Sequence, residues 1–208
     1  TRFRNVTGVQ TCALPILGAV PARYDWHGET VDLDTYFAMG RGAQDGERDV
    51  TAMEMTKWFD TNYHYIVPEL SPGTRFRLSS TKPIDEYQEA RAAGIETVPV
   101  LVGPVTYLLV GKGYDEHGEI DDTFDRLSLL PQLLPIYADV LRRLAAAGAQ
   151  WVQFDEPVLV QDRTPVELEA VRTTYATLAE AAGRAQLLVQ TYFGDVDEAY
   201  TLLTQLPV

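Results

Sequence analysis

The chain has 208 residues, 46% of them hydrophobic and 23% charged, which is an ordinary globular composition and enough for a substantial core. Its 17 Lys and Arg against 30 Asp and Glu give a formal net charge of -13, which speaks against a nucleic-acid surface because such a surface needs a basic stripe. The single cysteine, Cys12, excludes an intrachain disulfide and favours a reducing, cytoplasmic setting, and no apolar run approaches the ~20 residues that cross a bilayer.

Residues 1–17, TRFRNVTGVQTCALPIL, differ from the rest of the chain because they show neither a clear periodicity nor a helix start. A signal peptide is one interpretation of their basic head and of the short apolar run at residues 13–17. That run is too short, however, and no convincing cleavage site follows it. We expect a segment that is disordered or foreign to the fold, followed by a domain over residues 18–208.

Helix and strand patterns alternate along the rest of the chain. The stretch TAMEMTKWFD predicts a helix that ends near Asp60, and the aromatic and β-branched residues 63–67 predict a strand that stops at Pro68. A helix follows in PIDEYQEARAAGI, with Pro83 in its first turn and Gly94 as its stop. The apolar run TVPVLVG then predicts a buried strand.

The second half of the chain continues the alternation. A long helix in LSLLPQLLPIYADVLRRLAAAGA begins near Pro131 and ends at Gly148, and the strand WVQFDEP follows it. The next helix opens with Thr164 as its N-cap and Glu167 three residues later, and it closes at Gly183. QLLVQTYF predicts a further strand and DVDEAYTLLTQL a final helix.

This order of elements gives four βα units. Strands that alternate with long helices imply a parallel sheet, because parallel neighbours need a crossover connection that a helix supplies. An open doubly wound sheet and a (β/α)8 barrel both fit. No Gly-x-Gly-x-x-Gly or Walker-type loop follows a strand, which removes the simplest nucleotide-binding versions of the open sheet. A full barrel takes about 250 residues, so four units would form an incomplete one.

Asp155 and Glu156 stand at the end of a predicted strand, where a barrel places its active site. Adjacent strand residues point to opposite sides, so the two carboxylates cannot by themselves face each other as an acid/base pair. One could reach a ligand while the other caps a loop or pairs with an arginine, and a purely structural role stays open. His64, a lone histidine, predicts a buried, hydrogen-bonded imidazole rather than a metal ligand, because no second His or Cys stands at ligand spacing.

Lys57 lies in an aromatic stretch beside Trp58 and Phe59. On the predicted helix these two aromatic side chains do not share one face, so part of the aromatic surface would line a cleft or contact another domain. The ammonium group of Lys57 could then donate to an anionic ligand. It could equally contact the carbonyl groups at the end of its helix or lie along Trp58, and the residues alone leave these alternatives open.

Several motifs, in the same order, resemble the N-terminal domain of cobalamin-independent methionine synthase, the 5-methyltetrahydropteroyltriglutamate–homocysteine methyltransferase family. They are DTYFAMGRG, MEMTKWFDTNYHYIVPEL, PVLVGPVTYLLVGK and WVQFDEPVLV, and the resemblance runs from about Gly18 to the last residue. It implies a barrel domain, so the fold class that we expect is α/β, an incomplete (β/α)8 TIM-type barrel with parallel strands. Lys57 matches the family's lysine that contacts the folate substrate, whose triglutamate tail carries several carboxylates.

The resemblance also implies a longer enzyme, with a C-terminal barrel that binds homocysteine and holds zinc through His, Cys and Glu. No cobalamin takes part: zinc lowers the pKa of the homocysteine thiol, and the thiolate attacks the methyl group on N5 of the folate. This sequence lacks the zinc barrel and the family's N-terminal Arg-Glu-Leu-Lys segment. Residues 1–17 match no part of the family, so Cys12 is not expected to be a zinc ligand or a nucleophile.

We therefore expect a cytoplasmic methyltransferase fragment that contributes Lys57 to folate binding and has the missing barrel as its partner. Catalytic residues and metal ligands would lie outside this chain, which would not turn over alone. No nucleic-acid or membrane partner is expected. One alternative is a non-catalytic barrel module that serves only as a scaffold for a partner domain. Another is an unrelated barrel enzyme that uses Asp155 and Glu156 as acid and base, which requires both to line a pocket with shifted pKa values.

Overall fold

The computed structural model of the chain describes residues 4–5, 9–44, 46 and 49–208. The α-helices are α1 (Val9–Leu17), α2 (Leu33–Arg41), α3 (Lys82–Ala92), α4 (Pro104–Leu109), α5 (Leu130–Ala147), α6 (Pro165–Ala182) and α7 (Tyr200–Leu203). The strands are β1 (Arg4–Asn5), β2 (Ala43–Gln44), β3 (Asp49–Val50), β4 (Met55–Lys57), β5 (His64–Ile66), β6 (Glu69–Leu70), β7 (Thr97–Val98), β8 (Val100–Val102), β9 (Lys112–Gly113), β10 (Trp151–Asp155) and β11 (Gln186–Gln190).

A parallel three-stranded sheet in the order β11-β10-β8 organises the second half of the chain. Side chains alternate along β10, so Val152 and Phe154 point to one face and are fully buried. The ring of Phe154 lies 6.2 Å from that of Tyr137 on α5 and 6.0 Å from that of Tyr175 on α6. Helices α5 and α6 therefore cover this face, as the predicted strand–helix alternation requires, and the mixed α/β class with parallel strands is confirmed.

The opposite face of this sheet is only partly covered. Trp151 on β10 and Leu188 on β11 point to it and are 38% and 40% exposed. Strand β11 is also the last strand of its sheet. The other described strands pair two by two, β1 with β7 and β6 with β9 in parallel, and β2 with β3 and β4 with β5 in antiparallel. The described strands thus form no closed barrel.

The ends of the two longest helices lie where the sequence predicts them. Helix α6 begins after Thr164, whose hydroxyl accepts from the backbone N–H of Glu167 while the Glu167 carboxylate accepts from the N–H of Thr164. This reciprocal pair satisfies two backbone donors that an uncapped helix leaves free. Helix α5 ends at Gly148, which has a φ of 100° in the left-handed region that glycine tolerates.

The helix predicted to end near Asp60 is wrong, because residues 55–66 form a β-hairpin. Strand β4 pairs antiparallel with β5, and a six-residue loop over residues 58–63 connects them. The strand predicted at residues 63–67 is present as β5, but it belongs to this hairpin and not to a βα unit. Cross-strand pairing and the burial of Trp58 and Tyr65 stabilise the hairpin more than the weak helix propensity of these residues stabilises a helix.

The strand predicted over TVPVLVG is divided into β7 and β8 by Pro99. Proline has no backbone N–H and cannot donate to a sheet. Its carbonyl oxygen still accepts from the N–H of Gln153 at 2.9 Å, so the chain stays beside β10 across the division.

Part of the segment expected to be disordered is helical. Leu14 and Leu17 on α1 are 3% and 2% exposed within the core, so this expectation is wrong for residues 13–17. The reason is that the apolar run packs under the loop around Ser79, whose N–H donates to the carbonyl of Ile16. Residues 1–3 and 6–8 and the Cys12 side chain lie outside the described residues, and the domain boundary at residue 18 stays a prediction. Among the described helices, none has the length and apolar character of a membrane span.

Candidate functional site

Lys57 is the last residue of β4, at the base of the loop that closes the hairpin. The register of the hairpin places Lys57 directly opposite His64. Next to this pair, the N–H of Trp58 donates to the carbonyl of Tyr63 at 2.7 Å, and the Thr61 hydroxyl donates to the carbonyl of Trp58 at 2.6 Å. These bonds fix the backbone of the loop and therefore the direction in which Lys57 leaves it.

The ammonium group of Lys57 is exposed and has no ion-pair or hydrogen-bond partner among the described residues. The chain has two other lysines, and both are paired: Lys82 with Glu86, and Lys112 with Glu54 at 2.5 Å. In a chain with a net charge of -13, an unpaired ammonium is a cation available to an anionic ligand.

His64 is exposed, so the expectation of a buried imidazole is wrong. Its expected hydrogen bond is present, because Nδ1 lies 3.1 Å from the carbonyl oxygen of Asn62. Successive residues of β5 point to opposite sides, and burial of Tyr65 turns His64 outward. The Tyr65 hydroxyl donates to the carbonyl of Val110 at 3.0 Å, whereas Tyr63, two residues before Tyr65, is 73% exposed.

An aromatic cluster joins the hairpin loop to the end of β11. Trp58 is buried and meets both Phe59 and Tyr65 edge-on, at 5.0 and 5.3 Å between ring centroids. Phe59 stacks on Phe193 at 5.5 Å, and Tyr192 meets Phe193 edge-on at 4.6 Å. The hairpin that carries Lys57 is thereby held at the carboxyl end of the parallel sheet, the edge where open α/β sheets and barrels bind ligands.

Asp155, the last residue of β10, faces this cluster. Its carboxylate accepts from the Gln153 side-chain amide at 2.8 Å and from the Tyr192 hydroxyl at 3.2 Å. Burial raises the pKa of Asp155, and the two donors hold it lower than burial alone would. Asp155 therefore ties the end of β11 to β10 through Tyr192.

Glu156 points the other way, into the helical layer, and is fully buried. Its carboxylate accepts from the backbone N–H of Thr106 at 2.7 Å, from that of Val105 at 3.3 Å and from the Tyr175 hydroxyl at 2.9 Å. Burial raises the pKa of Glu156 to about 7, against the opposing effect of these donors. Glu156 thus anchors the first turn of α4 to β10 and α6.

The two carboxylates take the separate directions that strand geometry predicts, and the hypothesis of an acid/base pair is wrong. Glu156 has no exposed surface with which to reach a substrate, and its three donors give it the structural role that the sequence left open. Among the described residues, no group of three or more His, Cys, Asp and Glu side chains could hold a metal ion.

The sequence places Tyr192 and Phe193 at the end of the predicted strand QLLVQTYF, where a barrel has its active site, but it predicts no contact between either of them and Phe59. Phe59 and Phe193 have positive φ values of 53° and 82°, which no sequence pattern indicates for phenylalanine. The observed strand ends at Gln190, so Tyr192 lies just beyond it, at the same sheet edge as Asp155.

The described part of the chain is thus an α/β protein in which a hairpin presents a lysine, unpaired within that part, beside the carboxyl edge of a parallel sheet. The chain belongs to the cobalamin-independent synthase family, because the family model described as "Cobalamin-independent synthase, N-terminal domain" matches residues 12–208. The resemblance seen in the motifs is therefore confirmed. The match begins at residue 12, within α1, so the expectation that residues 1–17 match no part of the family is wrong for residues 12–17.

Proteins named 5-methyltetrahydropteroyltriglutamate–homocysteine methyltransferase are close relatives. The protein of Parvibaculum lavamentivorans is 57% identical over 88% of this chain and 23% of its own length. The Arabidopsis thaliana methyltransferase numbered 1 is 53% identical over 92% of this chain and 24% of its own length. The Salinibacter ruber protein is 52% identical over 96% of this chain and 26% of its own length. The chain thus spans about a quarter of the length of the curated relatives that it matches.

Proposed function

We propose that this chain is part of a methyltransferase that transfers a methyl group from 5-methyltetrahydropteroyltri-L-glutamate to L-homocysteine. The names of relatives that are 52% to 57% identical support this reaction. The homocysteine sulfur forms a bond to the methyl carbon, the bond from that carbon to N5 breaks, and the thiol proton is balanced by the proton that N5 takes up. The products are L-methionine and tetrahydropteroyltriglutamate.

The contribution of this chain is to bind the triglutamate tail through Lys57. The observation that carries this proposal is the exposed ammonium group, which has no partner among the residues that the structure describes, whereas the other two lysines are ion-paired. A tail of linked glutamates offers several carboxylates, and each one about 4 Å from an ammonium group gains on the order of 1 kcal/mol in water and more near a protein surface. The hairpin keeps the ammonium at the sheet edge, where the rest of a ligand would lie.

The proposed architecture is a (β/α)8 TIM-type barrel of which these residues form a part. Parallel sheets are normally covered on both faces, whereas here the face that carries Trp151 and Leu188 is partly open. In a barrel this face would be the packed interior, and β11 would pair with a further strand.

Zinc, the metal that the family implies, would be held by another part of the enzyme. The described residues do not fit it, since they offer no group of three His, Cys, Asp or Glu side chains in reach of one ion. No step of the proposed reaction is therefore assigned to a metal in this chain, and the cytoplasmic location stays a prediction.

Titration of the 208-residue chain with triglutamyl 5-methyltetrahydrofolate tests the role of Lys57. Saturable binding that Lys57→Ala weakens by about ten- to a hundredfold supports it, because contacts to charged groups contribute about 1.5–3 kcal/mol. Lys82→Ala removes the same charge from α3 and should leave the dissociation constant within about twofold. If no variant binds, or if Lys57→Ala binds like the wild type, the chain is a scaffold module and the proposal fails.

A second experiment addresses the reaction. We propose that the 208-residue chain, supplied with zinc, homocysteine and the folate, forms no methionine, because its described residues offer no group of His, Cys, Asp and Glu side chains that could hold the metal. Methionine formation above the rate without protein would place the catalytic groups in this chain and contradict the proposal.

A further inference from the structure

Phe59 and Phe193 are two bulky residues in left-handed backbone conformation, and their rings stack on each other. Their φ values are 53° and 82°, and their ring centroids lie 5.5 Å apart with 29° between the ring planes. A left-handed conformation costs a non-glycine residue about 1–2 kcal/mol, and such strain persists only where the surroundings hold it. Here each strained residue supplies the ring on which the other one packs.

The stack joins two parts of the chain that lie far apart in the sequence. Phe59 lies two residues after Lys57, in the hairpin loop, and Phe193 lies three residues after the end of β11. The base of the hairpin is held elsewhere, since Glu54 pairs with Lys112 at 2.5 Å and the Tyr65 hydroxyl donates to the carbonyl of Val110 at 3.0 Å. Among the ring contacts of the described residues, only those of the aromatic cluster connect the tip of the hairpin to the end of the parallel sheet.

We propose that Phe193 is a positioning residue for Lys57, an inference that rests on the proposed binding of the triglutamate tail. The stack of Phe193 on Phe59 holds the hairpin tip against the end of β11 and so fixes the direction of the Lys57 ammonium group. Phe193 itself does not touch the carboxylates. Its conformation aims the ring at Phe59 instead of into solvent, although 43% of the residue stays exposed.

The size of the effect follows from the energy of such a stack. Aromatic pairs contribute about 0.5–1.5 kcal/mol beyond the area that they bury. If the stack is lost, the hairpin tip samples other positions. The apparent affinity then equals the intrinsic affinity multiplied by the fraction of molecules whose hairpin is in the binding position. We expect Phe193→Ala to weaken binding of triglutamyl 5-methyltetrahydrofolate by about three- to tenfold.

The variants Phe193→Ala, Phe193→Tyr and Phe193→Gly, measured by the same titration of the full chain, distinguish the effect of the aromatic ring from the effect of the backbone strain. Phe193→Tyr keeps the ring and should bind within about twofold of the wild type. Phe193→Gly removes the ring and also the strain, so it should melt at or above the temperature of Phe193→Ala and still bind as weakly. Phe37→Ala is the matched control, because Phe37 on α2 is also about half exposed (51%) and lies outside the cluster.

Hydrogen exchange of the loop amides gives a readout that does not depend on ligand. The N–H groups of Trp58 and Thr61 should exchange faster in Phe193→Ala and at the wild-type rate in Phe193→Tyr, because the loop opens when the stack is lost. If Lys57→Ala weakens binding but Phe193→Ala does not, Phe193 has no positioning role while the function of Lys57 stands. If Lys57→Ala leaves binding unchanged, the proposed function fails and the positioning role fails with it.

Discussion

The carboxylate of Glu156 fills the space that a side chain on residue 103 would need. Gly103 precedes α4 with φ and ψ of -66° and 148°, a conformation open to every residue, so glycine is required there for room and not for flexibility. A Cβ atom on Gly103 would overlap the buried carboxylate. This close approach lets the backbone N–H groups of Val105 and Thr106 reach the carboxylate and sets where α4 begins.

Gly103→Ala should destabilise the chain by about 1–3 kcal/mol, because Glu156 is fully buried and its carboxylate has no free space to move into. Urea unfolding measures the change. Gly73→Ala is the control: a Cβ there meets only the Ser71 hydroxyl at 3.6 Å, so its effect should stay within about 0.5 kcal/mol. With Glu156→Ala in the background the overlap is gone, and Gly103→Ala should cost less than in the wild type. Equal costs in both backgrounds would contradict the steric account.

The stability of the chain should depend on the ionisation of Glu156. Its pKa is raised from 4.5 to about 7 by burial, so between these values the folded state binds more protons than the unfolded state. Stability from this group is therefore fully present below about pH 4.5 and falls as the pH rises to about 7, by on the order of 3 kcal/mol in all.

Glu156→Gln removes this dependence. The difference in free energy of unfolding, variant minus wild type, should increase from about pH 5 to about pH 8. This increase is expected whether the variant is more or less stable than the wild type at about pH 5. Glu180→Gln, on the exposed side of α6, should follow the wild type across the same range. Parallel curves for the wild type and Glu156→Gln would show that Glu156 has the same pKa in the folded and unfolded chain.

Local signals in the sequence predict the helix ends well, and tertiary contacts explain the errors. The start of α6 follows from Thr164 and Glu167 because a cap is completed within four residues. Strand β4 was mistaken for a helix because its pairing partner and its buried neighbours lie outside the local window.

The candidate site divides in the same way. Lys57 is found by its family motif, but its freedom from carboxylate partners depends on the whole fold. The stack of Phe59 on Phe193 joins residues far apart in the sequence, in conformations that phenylalanine rarely adopts, so no pattern in the sequence could indicate it. Gly103 ends the predicted strand TVPVLVG, and nothing in the sequence indicates the carboxylate that lies against it.

Thr164→Ala should destabilise the chain by about 1 kcal/mol, because it removes one half of the reciprocal cap of α6. Thermal unfolding would show a lowered midpoint. Thr177→Ala in the same helix is the control: its hydroxyl only donates to the carbonyl of Thr173, and alanine is the better helix former, so the variant should be as stable as the wild type or slightly more so. An equal loss in both variants would show that the cap itself contributes nothing.

Tyr192→Phe should raise the pKa of Asp155 further above its ordinary value. Burial already raises this pKa, and the Tyr192 hydroxyl opposes burial by donating to the carboxylate at 3.2 Å. Without that donor the ionised form loses a stabilising bond, while the Gln153 amide keeps its own at 2.8 Å. A titration of the Asp155 carboxyl carbon by NMR measures the shift, with Tyr200→Phe as the control because Tyr200 is 63% exposed and outside the cluster. Since a raised carboxyl pKa makes stability fall as the pH rises, Tyr192→Phe should also steepen that fall, and an unchanged or lowered pKa would mean that the hydroxyl does not stabilise the carboxylate.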